Sequence, residues 1–134
     1  MKKFENYSLN LNVLSKAEKE DLENEFIISG IIDKFFIQFE LGWKVLKDLM
    51  RYEGRSIANT GSPREIIKAA YSVYDFIEED VWLSMLRARN DMTHIYDKNA
   101  AKETVNKILN EYIPAFIKLK DGIEEYYGEN IYKI

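Results

Sequence analysis

One stretch gathers most of the side chains able to do chemistry: Arg87-Ala88-Arg89-Asn90-Asp91-Met92-Thr93-His94-Ile95-Tyr96-Asp97. Continued as a helix, Asn90, His94 and Asp97 stand at i, i+4 and i+7 on one face. Arg89, Thr93 and Tyr96 take the same spacing on the adjacent face. The two rows predict one polar surface of guanidinium, imidazole, amide, phenol and carboxylate, with Met92 and Ile95 turned into the core. Arginine offers a rigid fork that matches a phosphate or a carboxylate. Histidine exchanges a proton near neutral pH, and Asn90 or Asp97 could fix its tautomer. Beside a phosphodiester, such an arginine–histidine pair would promote attack of a ribose 2′-hydroxyl on phosphorus. His94 would carry the proton and Arg89 would stabilise the charged transition state. One histidine does not readily serve as both base and acid. A two-fold dimer bringing two motifs to a shared cleft supplies the second. The plainer reading is that a lone helical histidine is a surface or satisfied interior residue.

Other residues carry weaker signals. His94 with Asp91 or Asp97 gives one nitrogen and one or two oxygens, short of a closed metal set, so no metal is expected. Asp33 and Glu40 lie seven apart and could be paired carboxylates. An ion pair of Glu40 with Lys44 on the helix surface is the simpler reading. Trp43 and Trp82 read as core residues, with Trp43 the one that could instead floor a groove for a nucleotide base. Arg51, Arg55, Arg64 and Lys68 flank one loop, either as a basic rim or as ordinary solvated surface. Nine tyrosines, several near the C-terminus, suit a partly buried protein–protein surface.

The elements that must position these residues are helical nearly throughout. Phe4, Tyr7, Leu11 and Leu14 set an amphipathic first helix. Ile28, Ile32, Phe35, Phe36, Phe39, Trp43, Leu46 and Met50 form the apolar stripe of a long second helix. Asp33, Glu40, Lys44 and Lys47 lie on another face of it, and Gly54 ends it. Residues 54–63 read as a loop. Ser62, Pro63 and Glu65 predict a capping box opening a short helix from Pro63 to about Val73. Glu78, Glu79 and Asp80 suit the first turn of the next helix, whose core stripe is Val81, Met85, Ala88, Met92 and Ile95. A last helix is predicted from about Ala100 to Tyr127, held in register by Val105, Ile108, Tyr112, Phe116, Leu119, Ile123 and Tyr126. Pro114 inside it predicts a kink. The fold class expected is all-α: one domain over residues 1–134, an antiparallel bundle of four long helices and one short one.

Composition narrows the function classes. With 134 residues, 46% hydrophobic and 31% charged, the chain suits one globular domain. Nineteen Lys and Arg against 23 Asp and Glu leave a net charge of −4, a poor match to duplex DNA wrapped on a broad basic surface. The absence of cysteine excludes disulfides, thiolate metal sites and thiol catalysis. The start of the chain lacks the apolar stretch of a signal peptide. No apolar run is long enough to span a bilayer, so the cytoplasm is the expected compartment.

Arg89-Asn90, three residues, then His94-Ile95-Tyr96 resembles the Arg-x4-His-x-Tyr signature of HEPN domains, named for higher-eukaryote and prokaryote nucleotide binding. Asp33-Lys34-Phe35 and Phe39-Glu40-Leu41-Gly42-Trp43-Lys44 look like the long second helix of one branch, the bacterial and archaeal nucleotidyltransferase substrate-binding proteins. Ser62-Pro63-Arg64, Trp82-Leu83-Ser84-Met85-Leu86 and Thr93-His94-Ile95-Tyr96-Asp97 look like the same branch, in the same order. The Arg-x4-His pattern alone is common by chance, whereas the ordered set over residues 4–127 is specific. The resemblance implies an up-and-down helical bundle that forms a homodimer and works with a separate small nucleotidyltransferase. Two functions go with it. In one, the chain is the toxin of a toxin–antitoxin pair, a metal-independent endoribonuclease that the nucleotidyltransferase silences, in some pairs by adenylylating the motif tyrosine. In the other, it is a non-catalytic substrate-binding subunit of a split nucleotidyltransferase, similar to the helical domain of kanamycin nucleotidyltransferase. Carried over, Arg89 and His94 would be catalytic with Asn90 in support, and Tyr96 would be the modification site; Asp97, Trp43 and Glu40 are the candidate substrate contacts beside them. No cofactor is implied. Ala88 departs from the acidic residue that many relatives carry before the arginine.

Overall fold

The computed structural model describes residues 1–134 and contains helices, turns and no strand. The helices are α1 (Lys2–Leu14), α2 (Glu25–Tyr52), α3 (Ile57–Thr60), α4 (Pro63–Val73), α5 (Glu79–Asn90), α6 (Thr93–Tyr96), α7 (Lys98–Lys107) and α8 (Ile113–Tyr127). A π-helical segment, Ile108–Tyr112, joins α7 to α8.

Most residues of the stripes read from the sequence pack inward; at the end of the last helix Tyr127 is buried and the expected Tyr126 is 55% exposed. Phe4, Tyr7, Leu11 and Leu14 of α1 are buried, as are Ile28, Ile32, Phe35, Phe39, Leu46 and Met50 of α2. Helices α1 and α2 run antiparallel, tied by Lys3 to Asp48 at one end (2.9 Å) and by Asn10 to Gln38 (2.7 Å) further along. The amide of Gln38, buried in the core, also donates to the Tyr7 carbonyl oxygen. Helix α5 runs against the α7–α8 arm, held where the Ser84 and Tyr112 hydroxyls meet at 2.8 Å. One apolar cluster of 36 buried residues fills the space between these helices. The Met1 ammonium donates to the Ile131 carbonyl and closes the ends together.

Ser62 and Glu65 form the expected capping box, with Pro63 opening α4. The arm carrying Pro114 departs from a continuous helix. Proline cannot donate to the carbonyl one turn back, and the turn just before it widens to the π-helical pattern. The arm begins at Lys98 rather than Ala100, because the Asp97 carboxylate caps it by accepting from the Asn99 and Ala100 amides.

The larger correction concerns the chemical motif. Helix α5 ends at Asn90, and Asp91 is extended (φ −85°, ψ 119°). The Asp91 carboxylate accepts from the Thr93 amide at 2.9 Å and from the Thr93 hydroxyl at 2.6 Å. This side-chain turn competes with the helical hydrogen bond and wins. Met92 and Ile95 are therefore about half exposed (52% and 53%) and not part of the core stripe. No helix of the chain is long and apolar enough to cross a membrane.

Candidate functional site

The polar residues of the motif divide between two places. Arg89 sits in the last turn of α5 and faces α2, where its Nη2 stands 2.5 Å from Glu40 Oε1. Its guanidinium also lies 6.0 Å from the centre of the Phe39 ring. The other oxygen of Glu40 accepts from Trp43 Nε1 at 3.0 Å, and Lys44 Nζ is 4.0 Å away. Glu40 thus prefers Arg89 to the Lys44 expected from spacing along its own helix. Trp43 is half-buried rather than core. Its ring lies under Lys44 and Lys47, at 6.0 and 5.9 Å, in the range of cation–π attraction.

His94 stands on the short helix α6, beyond the break. Its ring packs on Phe36 of α2, centroids 5.3 Å apart. Its Nε2 is buried and has no hydrogen-bond partner. His94 forms part of the wall of two cavities, one between α5 and α7 and a smaller one shared with Tyr96 and Asp97. Arg89 borders neither. The three-residue faces expected from a continuous helix therefore do not form. Asn90 is exposed and accepts from Arg89 at 3.3 Å. Tyr96 is 88% exposed, its phenol open to any partner. Asp97 is committed to capping α7. Hydrogen bonds from the Thr93 hydroxyl and then the Thr93 amide hold the Asp91 carboxyl below its ordinary range, so Asp91 stays an acceptor in its turn.

Asp33 is exposed and takes part in no ion pair with Glu40's cluster. Of the four basic residues near the loop, Arg51 pairs with Asp48 and Lys68 with Glu79, while Arg55 and Arg64 are unpaired. No three His, Asp or Glu side chains are arranged to hold a metal ion. Two features escaped sequence reasoning. One is the Arg89–Glu40 pair between helices, which needs the packing of α5 on α2. The other is the α5–α7 cavity. The break after Asn90 also went unread, although the Asp91-x-Thr93 and Asp97-x-Asn99 spacings, each an aspartate two residues before the amide it accepts from, are the signal that could have found the two turns.

This motif, with the helices around it, matches the family described as nucleotidyltransferase substrate binding protein like, over residues 2–125. The chain belongs to this family. Among curated proteins, none matches it. The matched span starts with α1 and ends inside α8, so it takes in Glu40, Arg89, His94 and Tyr96 together with the helices that place them.

Proposed function

We propose that this chain is the HEPN-type helical partner of a small nucleotidyltransferase and acts as a metal-independent endoribonuclease, the toxin of such a pair. The observation that carries the reading is His94. Buried polar atoms are nearly always hydrogen-bonded. Trp82 Nε1 also lacks a partner but is sealed in the core, whereas the sole histidine, with an unpartnered Nε2, borders two cavities and is a group available to something outside the chain. It stands one short turn beyond Arg89 and Asn90, the groups suited to a phosphodiester.

In this reading the Arg89 guanidinium leaves Glu40 for the scissile phosphate and offsets the charge that builds on its oxygens. His94 takes the proton from a ribose 2′-hydroxyl. The 2′-oxygen bonds to phosphorus, and the bond from phosphorus to the 5′-oxygen breaks. The products are a 2′,3′-cyclic phosphate and a 5′-hydroxyl, the latter protonated by a second imidazole. That second imidazole comes from a second copy of the chain. Such a homodimer also suits the exposed Met92 and Ile95, which a second copy would cover. The exposed Tyr96 phenol suits adenylylation by the nucleotidyltransferase, which would block the cleft between copies.

A second reading keeps the same partner and removes the chemistry: a non-catalytic subunit that binds the substrate of the nucleotidyltransferase. The family's description and the neutralisation of Arg89 by Glu40 favour it. The deciding experiment is cleavage of a mixed RNA pool in EDTA by the wild type and by His94→Ala. Cleavage that leaves 2′,3′-cyclic ends and vanishes in the variant is the expected result. No cleavage by folded, dimeric, unmodified wild type rejects the ribonuclease and leaves the substrate-binding subunit.

A further inference from the structure

The cavity between α5 and α7 has a volume of about 490 Å³. That lies within the range of small-molecule sites, roughly 300–1,000 Å³. Its origin is in the sequence. The Ser84–Tyr112 hydroxyl bond pins the two helices at one end. Beyond it the facing side chains are Ala88, Ala100 and Thr104, too small to fill the gap, and the turn at Asp91 closes the far end.

The chemistry of the walls is unusual for this surface. Arg87 from α5 and Lys107 from α7 stand on opposite rims. Neither belongs to any ion pair or side-chain hydrogen bond of the chain, although most cations around them are paired. The carboxylate of Glu103, on the same wall, is also unpaired, whereas that of Asp91 is occupied by Thr93. At the floor, Tyr112 is buried and its hydroxyl meets only Ser84. Two hydroxyls bonded to each other use one O–H and leave the other free to donate.

We propose that this groove binds a phosphorylated sugar. Arg87 and Lys107 hold the phosphate from two sides. Glu103 accepts hydroxyl protons of the sugar, and the Ser84–Tyr112 pair donates to one of its oxygens. Glu103 weakens the hold of Arg87 and Lys107 on a bare anion, so a ligand that brings hydroxyl donors as well as a phosphate suits the wall better. The same ribose phosphate unit occurs in a free sugar phosphate and in a mononucleotide. The inference goes beyond RNA cleavage: His94 lines the same cavity, but the groups that would hold the ligand are Arg87, Lys107, Glu103 and the Ser84–Tyr112 pair, and neither Arg89 nor proton transfer by His94 is needed for binding.

The test is calorimetric titration of the full chain with ribose 5-phosphate, with AMP and with inorganic phosphate. Ribose 5-phosphate should saturate one site per chain, with phosphate alone about tenfold weaker or more. The double variant Arg87→Gln, Lys107→Gln should weaken ribose 5-phosphate by about tenfold or more. Arg64→Gln, which removes an unpaired cation elsewhere, should change it by less than about twofold. Glu103→Gln, which keeps both cations, should weaken ribose 5-phosphate and tighten phosphate, a sign reversal that a fold defect does not produce. AMP binding as well as ribose 5-phosphate assigns the site to a nucleotide, and weaker AMP binding assigns it to a free sugar phosphate. No saturable binding of either, equal binding of bare phosphate, or an equal loss in Arg64→Gln overturns the proposal. RNA cleavage is read separately in EDTA, so failure of one leaves the other standing.

Discussion

Gly42→Ala tests how closely α2 and α5 approach where Trp82 lies over Gly42. A Cβ at position 42 would lie 2.5 Å from Trp82 Cη2, 3.0 Å from its Cζ3 and 3.2 Å from Tyr7 Cε2. Carbon atoms settle at about 3.5–4.0 Å, so the indole must retreat by about 1 Å. It has nowhere to go. Trp82 is fully buried, with Phe39 and Phe116 against it. Overpacking of this kind costs about 1–3 kcal/mol, and alanine's better helix propensity returns about 1 kcal/mol. Because the clash involves a Cβ fixed to backbone, the upper part of that range applies, a net loss of about 1–2 kcal/mol. For a chain of this size the melting temperature should fall by about 3–8 °C. Urea and thermal unfolding followed by circular dichroism measure it. In a Trp82→Leu background the shorter side chain leaves room, and the same alanine should cost about 1 kcal/mol less. Wild-type stability in Gly42→Ala, or strict additivity with Trp82→Leu, refutes the close-approach argument.

Two further outcomes follow from the ion pair and the buried phenols. Arg89 and Glu40 side chains are 34% and 31% exposed, so Glu40→Gln should change stability by no more than about 1 kcal/mol. It should raise the salt-dependent affinity for a short RNA, read by fluorescence anisotropy, because the guanidinium no longer has its carboxylate; unchanged or weaker RNA binding would count against the displacement of Glu40 by phosphate. Burial pushes the Tyr74 hydroxyl up to about 12 and raises Tyr7 as well. Burial, followed by hydrogen bonds to Tyr74 and Glu53, raises Tyr127. Between an ordinary phenol value of 10.0 and about 12 the folded chain therefore holds protons that the unfolded chain has lost. Stability should be level below that window and decline as pH rises through it, and the decline should be shallower in Tyr74→Phe. Flat stability across the window in urea titrations would contradict the buried tyrosine pair.

The helices were legible because their information is local. A stripe such as Phe4–Tyr7–Leu11–Leu14 has one burial solution. Ser62-Pro63-Arg64-Glu65 writes its own cap. The motif was legible by composition and not by geometry. Periodicity carried α5 through Met92 and Ile95, since an apolar residue at the right interval looks the same whether or not the helix continues. What stopped it was one carboxylate reaching the Thr93 amide and hydroxyl, a competition of about 1 kcal/mol per hydrogen bond that a stripe does not report. The π-helical turn before Pro114 has the same character: the proline announced a disturbance, and packing of Ile108 and Tyr112 in the core decided its form. Nothing local marked the Arg89–Glu40 pair, because its partners are 49 positions apart in sequence.

That break changes what sets the site. In a continuous helix the separation of Arg89 and His94 would be dictated by the helical repeat of α5. Here both residues are referred to α2 instead. Glu40 holds Arg89, and Phe36 packs against the His94 ring. Phe36 and Glu40 are one turn apart on the same face, about 6 Å along the axis. The α6 turn lies between two aspartate turns, Asp91 and Asp97, so its position is set apart from the hydrogen-bond ladders of α5 and α7. Anything that displaces Glu40 from Arg89 acts on the same turn of α2 that supports His94.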